Sequence, residues 1–548
     1  MSLIHGGRIV AQALKAEDVR CLFTLCGGHI QPIYDGCIDE GISVIDFRHE
    51  QSAGHAADGW ARVTGKPGVV AVTAGPGVTD VVTAVANAYR AGVPMIVLGG
   101  QAPRFFFDMG ALQEMNHVEL MRPITKWSAS IPEARRLAEY IGMAFRISTT
   151  GVPGPVFLEV PLDLLMESVD DTAVVRPQKY RTEAQPAGDP EHVAQAAAML
   201  MKAKRPMAIV GGQLWWSRRR GSLAEFVEAY QMPVFVNGMA RGAMPPNDPF
   251  FFSRARKYAL SQADVVLVFG TPLDFRIGYG REPIFNAEVK VIQVDLDGSV
   301  IGRNRPIDIG IIGDTGWVMH ELVRVAHQAG GISATSDWVA AIRAEENRKL
   351  LSMEEGLASN AYPINPLRLC KEISEFVDEN TIVVGDGGDF VATAASVLRI
   401  HKQGHWMDPG PLGTLGVGPG YAMAAKLARP ECQVLVIFGD GAFGLNGMEF
   451  EAMARQKIKV VGVVGNDAAW MQIRRGQIEF FGEGRAVATK LDYTRYDKVV
   501  EALGGHGEYV ERVEEIRPAL ERAFASEKPA LVNVKIGEST FRQGAISV

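Results

Sequence analysis

Residues 431–467 read ECQVLVIFGDGAFGLNGMEFEAMARQKIKVVGVVGND, and this stretch decides the fold. An apolar run ends at Phe438 and hands over to Gly439-Asp440-Gly441. A helical pattern from about Asn446 to Gln456 follows, and a second apolar run, VVGVVG (460–465), delivers Asn466 and Asp467. Two short buried runs flanking one helix mark a βαβ unit, hence a parallel pair of strands. In an open parallel sheet such strand ends share one edge, and ligands bind there. Asp440 and Asp467 therefore come to the same edge.

The same alternation runs outward through the chain. GVVAVTA (68–74), a helix through Val78 to Arg90 and PMIVLG (94–99) form a first block. RPMAIVGG (205–212), MPVFVNG (232–238), ADVVLVFG (263–270) and VKVIQVDLD (289–297) form a middle one, and NTIVVGDGG (380–388) opens the third. Polar or charged connectors at 167–192 and 336–366 separate them, the second helical in pattern. Three α/β domains follow, and the first and third can be distant copies of one architecture.

Composition bounds the function. The 548 residues are 47% hydrophobic and 22% charged, as in ordinary globular proteins. A net charge of -7 excludes the basic excess of a nucleic-acid binder. Five cysteines form neither a CxxC pair nor an even framework, so a reducing, cytoplasmic setting is expected. No run approaches the ~18 apolar residues of a membrane span, and MSLIHGGRIV lacks the pattern of an export signal, so neither insertion nor export is expected.

Two oxygen side chains at one sheet edge suit a hard cation, and Mg²⁺ commonly keeps phosphate oxygens and water as its other ligands. The amides of Gly441, Ala442 and Phe443, at a helix start, would face the anion. Taken alone, GDG is usually a turn and its Asp a helix cap.

Three separate motifs remove that ambiguity. GDGAFG…GND, DPGPLGTLGVGPG (408–420) and RHEQSAGHAADGWAR (48–62) together resemble the thiamine-diphosphate-dependent superfamily of acetolactate synthase, benzaldehyde lyase and 2-hydroxyacyl-CoA lyase, over essentially the whole chain. The resemblance implies three Rossmann-like parallel-sheet domains: pyrimidine-binding (1–166), central (190–330) and diphosphate-binding (363–540), with a tail at 541–548 that could close over the site. It implies thiamine diphosphate and Mg²⁺ as cofactors. Asp440, Asp467 and the carbonyl of Ala469 would hold the metal, with Asp467 standing where most relatives carry the second residue of an Asn-Asn pair. Gly388, Asp389, Gly441 and Ala442 would line the cofactor, Gly413 would accept from its exocyclic amine, and Leu415 would wedge it into a bent shape.

Glu50 takes its meaning from the same resemblance. The glutamate at this position in the superfamily hydrogen-bonds the aminopyrimidine ring and favours its imino tautomer, which takes the proton from the thiazolium carbon. A carboxyl among Phe47, His49, Ala53, Ala56 and Ala57 is poorly solvated and holds a proton more tightly. The alternative is that Glu50 merely caps its helix. By resemblance, His29 would shuttle a proton to the substrate oxygen and Gln113 would orient it. Arg48, His49, His55 and His117 are left structural. The pyrimidine and diphosphate domains around one cofactor would come from two subunits, so a homodimer or homotetramer is implied.

RHE, TAGPG, MARG (239–242), LDFRIGYGR (273–281), DGGDF (386–390), GTLGVG, GNDAAW and FRQGAISV (541–548) look most like the acetolactate-synthase-like 2-hydroxyacyl-CoA lyases, which cleave a 2-hydroxyacyl-CoA to an aldehyde or ketone plus formyl-CoA. Carboligases of the acetolactate synthase or benzaldehyde lyase kind are the alternative. A nicotinamide dehydrogenase would not need Glu50, GDG…ND and GTLG together, and a silent scaffold would normally lose Glu50 or Asp440. One departure stands out: Arg475-Gly476-Gln477 replaces the Arg-Glu-Gln of relatives, with Glu479 three residues on. Asp295, Asp297, Asp314 and the basic segments KAKRP and SRRR resemble places where relatives hold ADP, CoA or FAD. An empty central domain is favoured, since no GxGxxG follows a strand there.

Overall fold

The computed structural model describes residues 3–328 and 335–538; the tail 541–548 lies outside them. Three six-stranded sheets carry the fold. The first contains β1 (Cys21–Thr24), β2 (Ser43–Asp46), β3 (Gly68–Val72), β4 (Met95–Gln101), β5 (Trp127–Ser130) and β6 (Pro155–Pro161), in the order β2-β1-β3-β4-β6-β5, with all pairs parallel. The central sheet contains β7 (Pro206–Val210), β8 (Val234–Val236), β9 (Phe251–Phe252), β10 (Val265–Phe269), β11 (Lys290–Asp295) and β12 (Ile309–Ile312), in the order β9-β8-β7-β10-β11-β12, again parallel.

The third contains β13 (Thr381–Asp386), β14 (Trp406–Met407), β15 (Gln433–Gly439), β16 (Val461–Asn466), β17 (His506–Val510) and β18 (Ala530–Lys535), ordered β14-β13-β15-β16-β18-β17. Counted from their own first strands, the outer two sheets have the same order, so they are two copies of one architecture. β3, β4, β6, β7 and β10 are buried at every position, which is why they read as continuous apolar runs rather than alternating ones.

Two compact units divide the chain. Residues 1–182, 382–391 and 407–548 form one, which holds the first sheet and nearly all of the third. Residues 183–381 and 392–406 form the other, around the central sheet. Among the described residues, no helix is long and apolar enough to cross a membrane.

Within the first unit, α1 (Glu50–Thr64) packs against both α2 (Pro76–Ala91) and α3 (Gly418–Ala428). Glycine makes the α1–α3 approach feasible: a Cβ on Gly59 would lie 2.8 Å from Tyr421 Cα, and one on Gly420 would lie 2.5 Å from the Ser52 carbonyl oxygen. A wholly buried polar knot fixes the register. Arg62 donates to both oxygens of Asp58 (2.6 and 3.2 Å), and Tyr421 and Asn87 donate to the same carboxylate at 2.7 and 2.9 Å. A buried carboxylate so fully satisfied specifies one arrangement, because any slip strands a charge. The knot locks the far half of the helix that begins at Glu50.

Candidate functional site

β13, β15 and β16 are neighbours, and their carboxyl ends deliver Gly388 and Asp389, Asp440, and Asp467 to one edge of the third sheet. The helix after β15 begins at Asp440 itself, not at Asn446 as the sequence pattern predicts. It runs as two pieces, α4 (Asp440–Asn446) and α5 (Glu449–Arg455). Gly447 allows the break, since a Cβ there would lie 2.7 Å from the Phe443 ring that tucks under the corner.

Asp440 is buried and accepts from the amides of Gly441 (2.8 Å) and Ala469 (3.1 Å); burial outweighs these and pushes it up to about 6. Asp467 is pushed up to about 8, first by burial and then by the charges of Asp440 and Asp389. A carboxylate whose proton affinity is raised by neighbouring carboxylates belongs to a donor set that suits a cation. Among the described residues, no three His, Cys, Asp or Glu side chains gather to cage a metal. The residues therefore fit an ion such as Mg²⁺ that takes its remaining ligands from diphosphate and water. Asn466 is committed elsewhere, donating to Thr494 O and Asn533 Oδ1, both at 3.2 Å. Asp389 is paired with Arg475 of α6 (Met471–Phe481), and a Cβ on Gly388 would lie 2.4 Å from Gln472 Oε1.

Sequence reading missed Asp386, although it stands in DGGDF. Wholly buried, it accepts the amides of Gly416 (2.9 Å) and Gly418 (2.7 Å), while Asn446 donates to the Gly416 carbonyl at 2.7 Å. The GTLGVG loop is pinned at its end. Gly413 stays exposed with φ +69°, and Leu415 is half-buried beside it.

Glu50 opens α1 and is buried. It does not cap the helix: His49 does, accepting the Gln51 amide on Nδ1 at 3.0 Å. Burial, followed by the charge of Asp80, raises the Glu50 carboxyl above its ordinary range, although its own amide and His49 oppose the shift.

α5 clasps the turn that leads into Glu50. Both Glu449 oxygens accept the Arg48 amide (3.1 and 3.0 Å), Arg455 pairs with Asp46 (2.7 Å), and Gln456 donates to the Asp46 carbonyl (2.8 Å). Burial pushes Glu449 up to about 7 against these amides. The fold therefore favours the protonated acid. Its contribution is complete below the ordinary 4.5 and is lost as pH rises through 7. Between those limits the wild type should lose about 3 kcal/mol more stability than Glu449→Gln, measured by urea unfolding across pH; equal slopes would contradict the assignment.

The first sheet gathers His29 and Gln113. His29 Nδ1 is 3.1 Å from Thr73 Oγ1, and Thr73 Oγ1 donates to Gln113 Oε1 at 3.4 Å. Gln113 has φ +63° and sits tight on Gly75, where a Cβ would lie 2.8 Å from its own. His117 Nε2 accepts the Gly75 amide at 2.9 Å, so its Nδ1 faces Glu159 (3.0 Å) as donor; this buried pair holds the turn from behind. A cavity of about 420 Å³ opens beside His29, lined otherwise by Ala102, Pro103, Phe106, Met109, Ala111 and Leu112.

Comparison with known proteins gives this geometry its context. Residues 4–120 match the N-terminal TPP binding domain of thiamine pyrophosphate enzymes, 193–322 their central domain and 386–534 their C-terminal TPP binding domain. The chain is 39% identical to a probable acetolactate synthase of Mycobacterium bovis over 97% of its own length and 95% of the other's. It is 37% identical to 2-hydroxyacyl-CoA lyase 2 of Bos taurus (99% and 92% covered) and 36% identical to that of Homo sapiens (100% and 92%). The chain belongs to the thiamine pyrophosphate enzymes.

In this thiamine pyrophosphate enzyme, Gly476 lies on α6 where a Cβ would meet nothing, and Glu479 stands exposed about one turn later. The departure leaves open space rather than a repacked side chain. In the central sheet, strand order reverses between β7 and β10, the place where such sheets open a crevice. Asn237 Nδ2 and Thr315 Oγ1 follow β8 and β12, and Asp295 Oδ2 stands at the end of β11. All three are buried without a hydrogen-bond partner among the described residues.

Proposed function

We propose that the enzyme is a C–C lyase that cleaves a 2-hydroxyacyl-CoA to an aldehyde or ketone and formyl-CoA, reversibly, with Mg²⁺ held by Asp440, Asp467 and the Ala469 carbonyl. The cavity beside His29 carries the reading. Apart from His29 every lining residue is apolar, so the site suits an alkyl or aryl group. Pyruvate, the small anionic donor of an acetolactate synthase, would leave a carboxylate there without a cation. Arg104, the near cation in this loop, is turned to Asp163 at 2.8 Å.

Thiamine diphosphate, when bound, stores the electron pair released as the C–C bond breaks. Glu50 holds the proton shared with its aminopyrimidine. His29 and Gln113 bind the substrate hydroxyl. The unpartnered polar atoms of the central sheet support a nucleotide such as the ADP part of CoA there. This differs from the empty domain that the missing GxGxxG favours.

The 39% identity of the chain to a probable acetolactate synthase supports one competing reading. Holoenzyme is offered pyruvate, benzoin, a free 2-hydroxy acid and the matching 2-hydroxyacyl-CoA, with and without ADP. The expected result is formyl-CoA and aldehyde from the thioester alone, inhibited by ADP. Acetolactate from pyruvate as the only product would overturn the proposal.

A further inference from the structure

His29 and Gln113 meet on Thr73. This buried threonine follows β3, and two glycines fix its rotamer: a Cβ on Gly27 would lie 2.2 Å from Thr73 Cβ, and one on Gly77 would lie 2.9 Å from its Cγ2. Its hydroxyl has one proton to give. That proton goes to Gln113 Oε1 (3.4 Å), so in the 3.1 Å bond to His29 the imidazole Nδ1 must be the donor. In a neutral ring the other nitrogen is then bare. The ring lines the apolar cavity. Burial, followed by the facing His117, lowers the proton affinity of the ring, while its hydrogen bond with Gln113 opposes the shift.

We infer that Thr73 is a positioning residue that holds His29 in the Nδ1–H tautomer, so that Nε2 meets the substrate as a proton acceptor. The inference rests on the proposed function and deepens it, because it names the atom that takes the substrate hydroxyl proton. As the C–C bond of the 2-hydroxyacyl thioester breaks, the hydroxyl proton moves to Nε2. The O–H electron pair becomes the second bond of the aldehyde carbonyl, and the pair of the broken C–C bond stays with the acyl carbon. That carbon takes back one proton as the formyl thioester leaves, and the imidazole ends neutral. Condensation runs the same steps backwards: the neutral ring first takes the proton of the formyl carbon and then gives it to the aldehyde oxygen.

Thr73→Val keeps the shape and removes the hydroxyl, and Thr73→Ser returns it. Solid-state NMR of cofactor-free protein labelled with ¹⁵N-histidine reads the tautomer directly, the His29 signals being those lost in His29→Asn. Wild type and Thr73→Ser should show protonated Nδ1 and bare Nε2, and Thr73→Val a mixture or the reverse. In holoenzyme, kcat/KM should fall ~10-fold or more in Thr73→Val, with thiamine diphosphate affinity unchanged, and recover in Thr73→Ser. A wild-type proton on Nε2, or a Val variant with the wild-type tautomer, would overturn the inference. Full turnover by His29→Asn would instead remove His29 from the reaction, whatever the spectra show.

Discussion

Replacing Glu50 by Gln yields a folded protein that still binds thiamine diphosphate but turns over ~100-fold or more slowly, the scale of a lost general acid–base group. The reason lies in the burial. At a helix N-terminus an acid is ordinarily held in its charged form, yet here desolvation and Asp80 win and the carboxyl holds its proton more tightly. Such a group can share a proton with a ring nitrogen, and an amide of the same size cannot. Capping does not confound the test, because the side chain that closes the helix end belongs to His49. Circular dichroism and calorimetric titration check fold and cofactor binding, and steady-state rates check chemistry. Wild-type rates in Glu50→Gln would remove this residue from the mechanism.

Asp440→Asn should weaken Mg²⁺-dependent binding of thiamine diphosphate ~100-fold or more while leaving the cofactor-free protein at least as stable as wild type. The two halves of this expectation come from one cause. Without a cation, Asp440 is a buried carboxylate, and its charge penalises that of Asp467. Neutralising one relieves that repulsion, and with metal present the same change removes a ligand. Titration calorimetry and thermal unfolding, each with and without Mg²⁺, read the two effects separately. A variant that loses stability without metal yet binds cofactor normally would make Asp440 a structural cap and nothing more.

The strand ends were legible because both faces of these sheets are covered. Continuous runs such as VLVIF stand out, and a strand followed by a helix fixes which end carries the ligands. Two of the strands that escape detection lack that signal. Trp406–Met407 is two residues long, and Trp127–Ser130 is half-exposed with small polar residues, so neither gives an apolar run. Asp440, Asp467, His29 and Gln113 announce themselves through local motifs, and the structure brings the first two together and the last two together. Thr73, Asp386 and Glu449 act through partners 40, 30 and 401 positions away, a separation no local pattern carries. The helix start at Asp440 was obscured for the opposite reason. The two glycines of GDG look like a turn, while a strand end and an N-terminal acid begin the helix there anyway.

We propose that each cofactor is held between two copies, with Glu50 from one and Asp440 from the other. Mixing decides it: Glu50→Gln and Asp440→Asn chains, each inactive alone, are unfolded together, refolded with Mg²⁺ and thiamine diphosphate, and assayed. Random pairing makes half the dimers mixed, each with one intact site, so activity should return to about a quarter of wild type. A mixture that exchanges subunits yet stays as inactive as its parents would contradict the account.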